Sequence, residues 1–321
     1  MHHTNSRPRL IRKLEESLGH RICEALDDAT VVEVMLNPDG TLFIEHLGGG
    51  MVAAGTVAPG FSEIVIGCVA HVLGTEIGAD RPILSGELPI GGHRFEGLLP
   101  PVVAAPCFTV RRRASQLIPL DHYVVSQAMT PGQATFIRDA VASHLNIVIS
   151  GGTGSGKTTL ANAILAEIVA QAPEERLIIL EDTAEIRCAA TNAIALRTSD
   201  TVDMSRLLKS TMRLRPDRII VGEVRDGAAL TLLKGWNTGH PGGVCTIHAN
   251  SARSVLQRLE QLTAEVSQQP MQGVIGEAVD LIISIARTPD GRRIQEMIRV
   301  SGFSDGRYHI EPFQEGARHA A

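Results

Sequence analysis

Residues 145–160, LNIVISGGTGSGKTTL, form the stretch from which the organisation of the whole chain follows. Within it, residues 151–158, GGTGSGKT, satisfy the phosphate-loop pattern G-x-x-x-x-G-K-[ST]. An apolar run at residues 147–149 precedes the pattern, and a segment rich in Ala, Ile and Leu follows it to residue 169. The sequence therefore predicts a strand, a glycine loop and a helix in succession, which is the setting that the motif requires.

The residue types of this loop suit a bound triphosphate. Glycines let the backbone take positive φ values and turn its N–H groups towards anionic oxygens, and a helix beginning near Gly156 adds its positive dipole end. Lys157 can reach the β and γ phosphates, and the Thr158 hydroxyl can bind Mg²⁺. A chance match is the alternative, and both flanks argue against it. The predicted nucleotide ligands are Gly151, Gly152, Thr153, Gly154, Ser155, Gly156, Lys157, Thr158 and Thr159.

Composition limits the class of protein. The chain has 321 residues, 44% of them hydrophobic and 20% charged, which is typical of a soluble chain with two domains. A net charge of −5 argues against a protein that coats nucleic acid through its overall charge. The five cysteines lack C-x-x-C spacing, so we expect reduced, mostly buried thiols in the cytoplasm. We find no apolar run near the ~18 residues of a membrane span and no signal peptide.

Residues 1–113 are predicted to form a first domain of mixed helix and antiparallel strand. An amphipathic helix opens it; residues 31–36 and 41–47 form a hairpin, and residues 48–50 form a loop. A helix at residues 61–73 and strands at residues 83–89, 93–99 and 108–113 follow. The basic residues of the first helix leave two interpretations, a contact with an anionic membrane or, the favoured one, a solvated face; they are Arg7, Arg9, Arg12 and Lys13.

Residues 114–129 show little periodicity and are predicted to be a linker, with residues 130–321 as the second domain. Thr130, Pro131 and Gln133 indicate a capped helix start. Strands and helices then alternate, which predicts an α/β domain with a parallel sheet, followed by terminal hairpins. Ligands of such sheets bind at the carboxyl ends of the strands.

Three further stretches follow or end strands of this second domain. The first contains Glu181, Asp182 and Glu185, whose carboxylates can orient an attacking water and hold Mg²⁺-bound water; a solvated acidic loop is the alternative. The second, residues 218–225, is an apolar strand that carries Glu223 at its end, and a core strand with a polar end is its alternative. The third carries His248, which can report the nucleotide state or be a structural histidine.

Together these four motifs resemble those of the hexameric secretion and traffic ATPases, in the type IV secretion and conjugative-transfer branch. The motifs are GGTGSGKTT, EDTAEI, RLRPDRIIVGEVR and TGHPGGVCTIHANS. The likeness covers residues 130–260, and GHRFEGLLPPV and FTVRR of the first domain are similar to the family's arginine-bearing strands. The resemblance implies a RecA-like P-loop NTPase domain with a parallel-sheet core, preceded by a smaller α+β domain, and it implies ATP and Mg²⁺ as ligands.

The resemblance also implies roles for single residues. Lys157 binds phosphate, Glu185 is the general base and His248 senses the γ-phosphate. The implied metal ligands, partly through water, are Thr158, Glu181, Asp182 and Glu223. Arg94 and Arg111 of the first domain clamp nucleotide between the domains, and Arg213 or Arg215 couples neighbouring subunits; solvated surface arginines are the alternative for all four.

The function that the resemblance implies is that of a homo-oligomeric, hexameric ring. Such a ring hydrolyses ATP to power conjugative transfer or type IV secretion at the cytoplasmic face of the inner membrane, held there by membrane subunits of the machine or by lipid. Two alternatives stay open. One is a nucleotide-gated scaffold with negligible hydrolysis, and the other is a DNA-acting motor of another P-loop branch.

Overall fold

The computed structural model describes residues 7–47, 49–58, 60–113, 117–199 and 201–315, without the side chains of Arg7 and Pro8. The chain divides into two compact units, Met1–Ser115 and Gln116–Ala321. The predicted roles of Arg7 and Gly48, and the start of the predicted linker at residues 114–116, lie outside what is described. The assignment of residues 1–113 and 130–321 to two separate domains stays a prediction.

The first unit combines two helices with an antiparallel sheet in the order β3-β2-β1-β6-β5-β4. Its helices are α1 (Arg7–Asp27) and α2 (Phe61–Leu73), and its strands are β1 (Val31–Leu36), β2 (Thr41–His46), β3 (Gly50–Thr56), β4 (Ile83–Glu87), β5 (Arg94–Leu98) and β6 (Cys107–Arg111). Apolar side chains of α1, α2 and the central strands share one core. The predicted mixture of helix and antiparallel sheet is confirmed.

Strand β3 is a correction to the loop predicted at residues 48–50. Gly50 begins an edge strand that pairs antiparallel with β2. Its sequence, GMVAAGT, has small residues and no alternation of apolar and polar positions, and most of its side chains are exposed. The strand is therefore fixed by backbone pairing with β2 and leaves little pattern in the sequence.

The second unit contains helices α3 (Leu120–Val125), α4 (Pro131–Ala142), α5 (Lys157–Gln171), α6 (Met204–Thr211), α7 (Ala228–Asn237), α8 (Ala252–Ala264) and α9 (Gln272–Ala278). Its strands are β7 (Ile147–Ser150), β8 (Leu177–Glu181), β9 (Ala193–Arg197), β10 (Arg218–Val224), β11 (Val244–Ile247), β12 (Leu281–Thr288), β13 (Gly291–Ser304) and β14 (Arg307–Pro312). They form one sheet in the order β14-β13-β12-β7-β11-β10-β8-β9.

The strands from β12 to β9 in this order pair in parallel, and only the pairs β12–β13 and β13–β14 are antiparallel. The predicted parallel α/β core is confirmed. Strand β7 shows why the apolar runs are continuous: Ile147 and Ile149 face the core beneath α4 and α5, while Val148 faces the core on the opposite side of the sheet. A sheet covered on both faces needs apolar residues at every position of its central strands.

The linker predicted at residues 114–129 is wrong over the part that the structure describes. Residues 120–125 form α3, and Leu120, Tyr123, Ala128 and Met129 are buried in the core shared with α4 and α5. The helix is short and follows Pro119, so its apolar contacts do not produce a helical period that is visible in the sequence. Helix α4 begins as predicted, with Thr130 and Gln133 forming a capping box.

Two expectations about membrane spans and cysteines can be compared with the structure. Among the residues described, no helix is both long and apolar enough to cross a membrane. All five cysteines lie in the described part of the chain and are free thiols. Only Cys245 is fully buried, which raises the pKa of its thiol, so the expectation of mostly buried thiols is too strong.

Candidate nucleotide-binding and catalytic site

The loop between β7 and α5 is shaped by glycines at positions where a side chain cannot fit. A Cβ on Gly151 would overlap the carbonyl of Ile285 and the hydroxyl of Ser155, and Gly154 and Gly156 have φ values of 68° and 100°. Gly156 is the N-cap of α5, which begins at Lys157. The loop therefore brings its backbone close to any ligand at the positive end of this helix.

Lys157 is held inside this loop. Its side chain is buried, and its Nζ donates to the carbonyl oxygens of Gly151 at 3.0 Å and Gly152 at 3.1 Å. A third contact joins Nζ to Nδ1 of His248 at 3.4 Å. Carbonyl and imidazole lone pairs thus surround the ammonium group at the mouth of the loop, where the oxygens of a phosphate are equivalent acceptors.

Ser155 gives a separate indication that the loop fits a phosphate. Its Oγ is buried and has no hydrogen-bond partner among the described residues. Leaving a buried hydroxyl unpaired costs free energy, and such groups in native proteins call for a reason. A cradle lined by glycines, a buried ammonium and an unpaired hydroxyl has the donors that a triphosphate needs, so the residues present fit this ligand.

The acidic stretch after β8 folds back on the start of α5. Glu181 is buried, and its Oε1 accepts hydrogen bonds from the N–H groups of Glu185 at 2.9 Å and Ile186 at 2.7 Å. This turn brings the Glu185 carboxylate to the first turn of α5, where Thr158 Oγ1 donates to Glu185 Oε2 at 3.1 Å. The predicted base and the predicted metal-binding hydroxyl are therefore in direct contact.

Asn162 fixes this turn from the helix side. Its Nδ2 donates to the carbonyl of Glu185 at 3.3 Å, and its Oδ1 accepts from the N–H of Arg187 at 2.9 Å. Asn162 lies four residues after Thr158, so both project from the same face of α5. Asn162 was not predicted, although a polar residue within the apolar stretch that follows the phosphate loop was a usable signal.

A second network joins the ends of β10, β11 and β8. His248 Nε2 lies 2.6 Å from Glu223 Oε1, and Arg225 Nε donates to Glu223 Oε2 at 2.7 Å. Arg225 also lies 3.4 Å from Asp182 Oδ2, whose other oxygen accepts from Thr198 at 2.9 Å. Arg225 was missed as a functional candidate, although it follows Glu223 by two residues and so projects to the same side of the strand.

The contacts of His248 determine its tautomer. A lysine ammonium has only donor hydrogens, so Nδ1 of His248 must accept from Lys157. The ring proton then resides on Nε2 and points at Glu223. His248 is thus the link between the phosphate loop and the carboxylate of β10.

The site has no preassembled cage for a cation. In the described residues, no group of three or more His, Cys, Asp or Glu side chains is arranged to hold a metal ion. Thr158 directly follows Lys157 at the start of α5, and Glu223 reaches Lys157 through His248. Mg²⁺ commonly binds through few protein oxygens together with phosphate and water, and the metal role of Asp182 stays a prediction. Glu181 uses one carboxylate oxygen to hold the acidic turn, and its metal role stays a prediction.

The structure shows where the four predicted arginines lie within their own units. Arg94 and Arg111 are directly opposite each other on β5 and β6, and Glu33 pairs with Arg111 from β1. Burial raises the pKa of the Glu33 carboxyl, and the two arginines oppose that shift. Arg213 and Arg215 are exposed on the connection from α6 to β10, at the amino end of that strand and far from the carboxyl end that carries the site. Their roles stay predictions.

Comparison with known proteins identifies the family of the chain. The family model described as Type II/IV secretion system protein matches residues 94–304, more than half of the sequence. The chain belongs to this family. The conjugal transfer protein TrbB of Rhizobium radiobacter is similar at 70% identity over 310 residues, which cover 97% of this chain and 96% of that protein.

A less similar relative and two solved structures also match the chain. The type IV secretion system protein VirB11 of Bartonella henselae is 28% identical, covering 85% of this chain and 89% of VirB11. The X-ray structure of the ATPase DotB of Legionella pneumophila superposes with a TM-score of 0.63 at 19% identity, covering 87% of this chain and 79% of DotB. The pilus retraction motor PilT, solved with bound ADP, gives a TM-score of 0.58 at 18% identity, covering 86% of this chain and 80% of PilT.

These comparisons confirm two predictions. The resemblance to the secretion and conjugation branch is confirmed by the family match and by the relatives. The fold class, a RecA-like domain preceded by a smaller α+β domain, is confirmed by the structural neighbours.

Proposed function

We propose that the protein is a Mg²⁺-dependent ATPase that forms a homo-oligomeric ring and powers conjugative transfer or type IV secretion. Its similarity to the conjugal transfer protein TrbB and to VirB11 supports an ATPase of a conjugation or type IV secretion system. Mg²⁺-dependent hydrolysis is supported by the chain of contacts from Lys157 through His248 to Glu223, beside the contact between Thr158 and Glu185.

The binding step is assigned to the phosphate loop and the start of α5. Backbone N–H groups of residues 151–157 and the ammonium of Lys157 hold the β and γ phosphates, and Thr158 supplies a hydroxyl to Mg²⁺. When bound, Mg²⁺ neutralises charge that develops on the phosphate oxygens. Lys157 exchanges its contacts with the loop carbonyls for phosphate oxygens, because both are acceptors for the same ammonium hydrogens.

The hydrolytic step is assigned to Glu185. Its carboxylate lies against Thr158 and is held by the turn that Glu181 and Asn162 fix, so it can orient a water and accept its proton. Glu223 would help to hold Mg²⁺ and the attacking water. Both of its oxygens contact neighbouring side chains, those of His248 and Arg225.

The link through His248 gives the site a way to register nucleotide. Nδ1 of His248 accepts from Lys157 only while the ammonium remains at the loop mouth. A phosphate that withdraws Lys157 leaves Nδ1 free, and His248 is then able to turn away from Glu223. We assign the predicted sensing role of His248 to this exchange of partners.

Steady-state ATP turnover with Mg²⁺ tests the enzymatic proposal. We expect wild-type protein to hydrolyse ATP and Lys157→Ala to lose both nucleotide binding and turnover, because the variant lacks the buried ammonium. Lys209→Ala, which removes an exposed lysine from the last turn of α6, is the matched control and should behave as wild type. If neither wild type nor Lys157→Ala hydrolyses ATP above background, only the nucleotide-gated scaffold remains.

The ring proposal needs a separate measurement. Native mass spectrometry with and without a non-hydrolysable ATP analogue should show a hexamer of the 34.3 kDa chain, with nucleotide increasing its share. A monomer under all conditions would contradict the ring and the proposed coupling roles of Arg213 and Arg215. We further propose that the ring works at the cytoplasmic face of the inner membrane with membrane subunits of the secretion machine, and that Arg94 and Arg111 contribute to nucleotide binding.

A further inference from the structure

The hairpin formed by β12 and β13 extends past the end of the strand that leads into the phosphate loop. Strand β12 pairs with β7 from Leu281 opposite Ile147 to Ser284 opposite Ser150, where β7 ends. Strand β12 continues for four more residues to Thr288, and β13 returns from Gly291. The tip of this hairpin therefore lies beside residues 151–156.

Arg292 of β13 lies directly on this loop. Its Nε donates to the carbonyl oxygen of Gly154 at 3.3 Å. A Cβ built on Gly156 would lie 2.8 Å from the Cδ atom of Arg292. Ile285 of β12 approaches the same position with its Cδ1 atom at 3.7 Å, so one face of the hairpin rests on the loop.

The terminal nitrogens of Arg292 remain available. A guanidinium group has five donor hydrogens in a planar fork, and only the one on Nε is used by Gly154. Arg292 is exposed to solvent, and within the described ranges its NH1 and NH2 atoms have no hydrogen bond or ion pair. The Nε end of the guanidinium group is thus held by the phosphate loop, while NH1 and NH2 can donate to a ligand.

A second arginine lies across the hairpin. Arg287 of β12 is directly opposite Arg292 in the antiparallel register, and directly opposite residues project from the same face of a sheet. It is also two residues from Ile285, whose side chain reaches the loop. The pair therefore gives a cationic edge to the phosphate loop.

We propose that Arg292, supported by Arg287, binds the phosphate chain of the nucleotide from the hairpin side of the loop. The inference deepens the proposed function and rests on it. The ligand chemistry is that of a polyphosphate, because a guanidinium fork donates to two oxygens of one phosphate group. Arg292 is a nucleotide-binding residue in this assignment, and its contact with Gly154 fixes the guanidinium beside the phosphates.

Calorimetric titration of the full chain with ATP, ADP, tripolyphosphate and adenosine tests the assignment. Arg292→Ala should weaken the affinity for ATP, ADP and tripolyphosphate by ~10-fold, as expected for a lost charge-assisted hydrogen bond. Affinity for adenosine should be unchanged. Arg293→Ala is the matched control: it removes the neighbouring exposed arginine, which projects from the opposite face of the same strand, and it should bind as wild type does.

Two further readouts separate ligand contact from a structural role. The melting temperature of ligand-free Arg292→Ala should equal that of wild type, while the rise in melting temperature on adding ADP should be smaller. Arg292→Lys should recover part of the lost affinity, because it keeps the charge without the fork. Three outcomes would overturn the proposal. The first is an unchanged ATP affinity in Arg292→Ala, and the second is an affinity for adenosine that falls as much as the affinity for ATP. The third is a drop in the melting temperature of the ligand-free variant that is large enough to account for the lost affinity.

The same titrations distinguish this inference from the function on which it rests. If wild type binds ATP and Lys157→Ala does not, the nucleotide site stands whatever Arg292→Ala does. Wild-type affinity in Arg292→Ala would then remove only the role of Arg292. If neither wild type nor Lys157→Ala binds ATP or tripolyphosphate, the proposed function itself fails.

Discussion

Strand β10 carries a charged cluster at each of its ends, and the two clusters differ in burial and in the role that their burial allows. At the amino end Arg218 is 1% exposed and contacts Glu175, the carbonyl oxygens of Val141 and Gly242, and His144. At the carboxyl end Glu223 contacts Arg225 and His248, whose side chains are 46% and 51% exposed. We call the buried cluster around Arg218 the closed cluster and the solvent-exposed cluster around Glu223 the open cluster.

This difference shows what each cluster can do. The donors of Arg218 are directed at buried acceptors, so the loss of this side chain leaves an uncompensated charge in the interior. The groups at the carboxyl end are solvated and bridge one another, so a ligand can replace one partner at small cost. The amino end is therefore suited to stabilise the fold, and the carboxyl end to change partners during a reaction.

The largest effect is expected from breaking the closed cluster. Arg218→Ala should lower the free energy of unfolding of the second unit by about 3–5 kcal/mol, because the Glu175 carboxylate, only 12% exposed, loses its main partner and keeps only His144. Urea denaturation followed by circular dichroism measures this loss. Arg225→Ala at the open end is the matched control and should cost less than about 1 kcal/mol; equal losses would refute the contrast between the two ends.

The next effect concerns chemistry at the open end. Glu185→Gln should lower ATP turnover by ~100-fold, a barrier increase of about 2.7 kcal/mol, because the amide cannot accept the proton of water. Nucleotide affinity and unfolding free energy should remain near wild type, since the shape of the side chain is preserved. Turnover assays and nucleotide titration measure both quantities, with Glu174→Gln, an exposed acid before β8, as control. Wild-type turnover in Glu185→Gln would show that another carboxylate, and not Glu185, is the general base.

A smaller effect should follow from loosening the acidic turn. Glu181→Ala removes the carboxylate that accepts from the N–H groups of Glu185 and Ile186, and hydrogen bonds to charged groups contribute about 1.5–3 kcal/mol. Glu181→Gln keeps an acceptor oxygen and should lose less. Denaturation of both variants gives the stability difference, and their turnover should fall in the same order. A Glu181→Ala protein as stable as wild type would show that Glu181 does not hold the turn.

The smallest expected effect lies in the first unit. Burial lowers the pKa of His93 from its ordinary value of 6.5; Arg112 and Arg113 lower it further and Asp27 opposes them. The unfolded state therefore binds the proton more readily, so stability is full above about pH 6.5 and declines as the pH falls below it. Protonation also removes Nδ1 as acceptor for the N–H of Arg113.

Thermal unfolding between pH 5 and 8 measures this dependence. His93→Gln should show a flatter stability profile in acid than wild type, because the amide does not titrate. The exposed His71→Gln variant should follow the wild-type profile. Parallel profiles for all three proteins would rule out His93 as a source of acid sensitivity.

Much of the fold was predictable because its determinants are local. The glycine pattern followed by Lys157 and the capping residues Thr130 and Gln133 act through neighbours in sequence, and the structure places the corresponding elements there. Strand β9 was missed because it has only five residues, none of them fully buried, and it is fixed chiefly by pairing with β8. The apolar side chains of α3 likewise can be recognised as a buried face only in the folded chain, where α4 and α5 pack against them.

The candidate site shows the same contrast between what the local sequence predicts and what only the folded chain decides. The sequence by itself determined the phosphate loop, the acidic residues and His248, because their spacing after apolar strands assigns them to the carboxyl edge of a parallel sheet. Only the tertiary structure decided which side chains meet: Arg225 between Glu223 and Asp182, and Arg292 on the phosphate loop from 138 residues away. Contacts across the sheet depend on strand order and register, which are set by packing and not by local sequence.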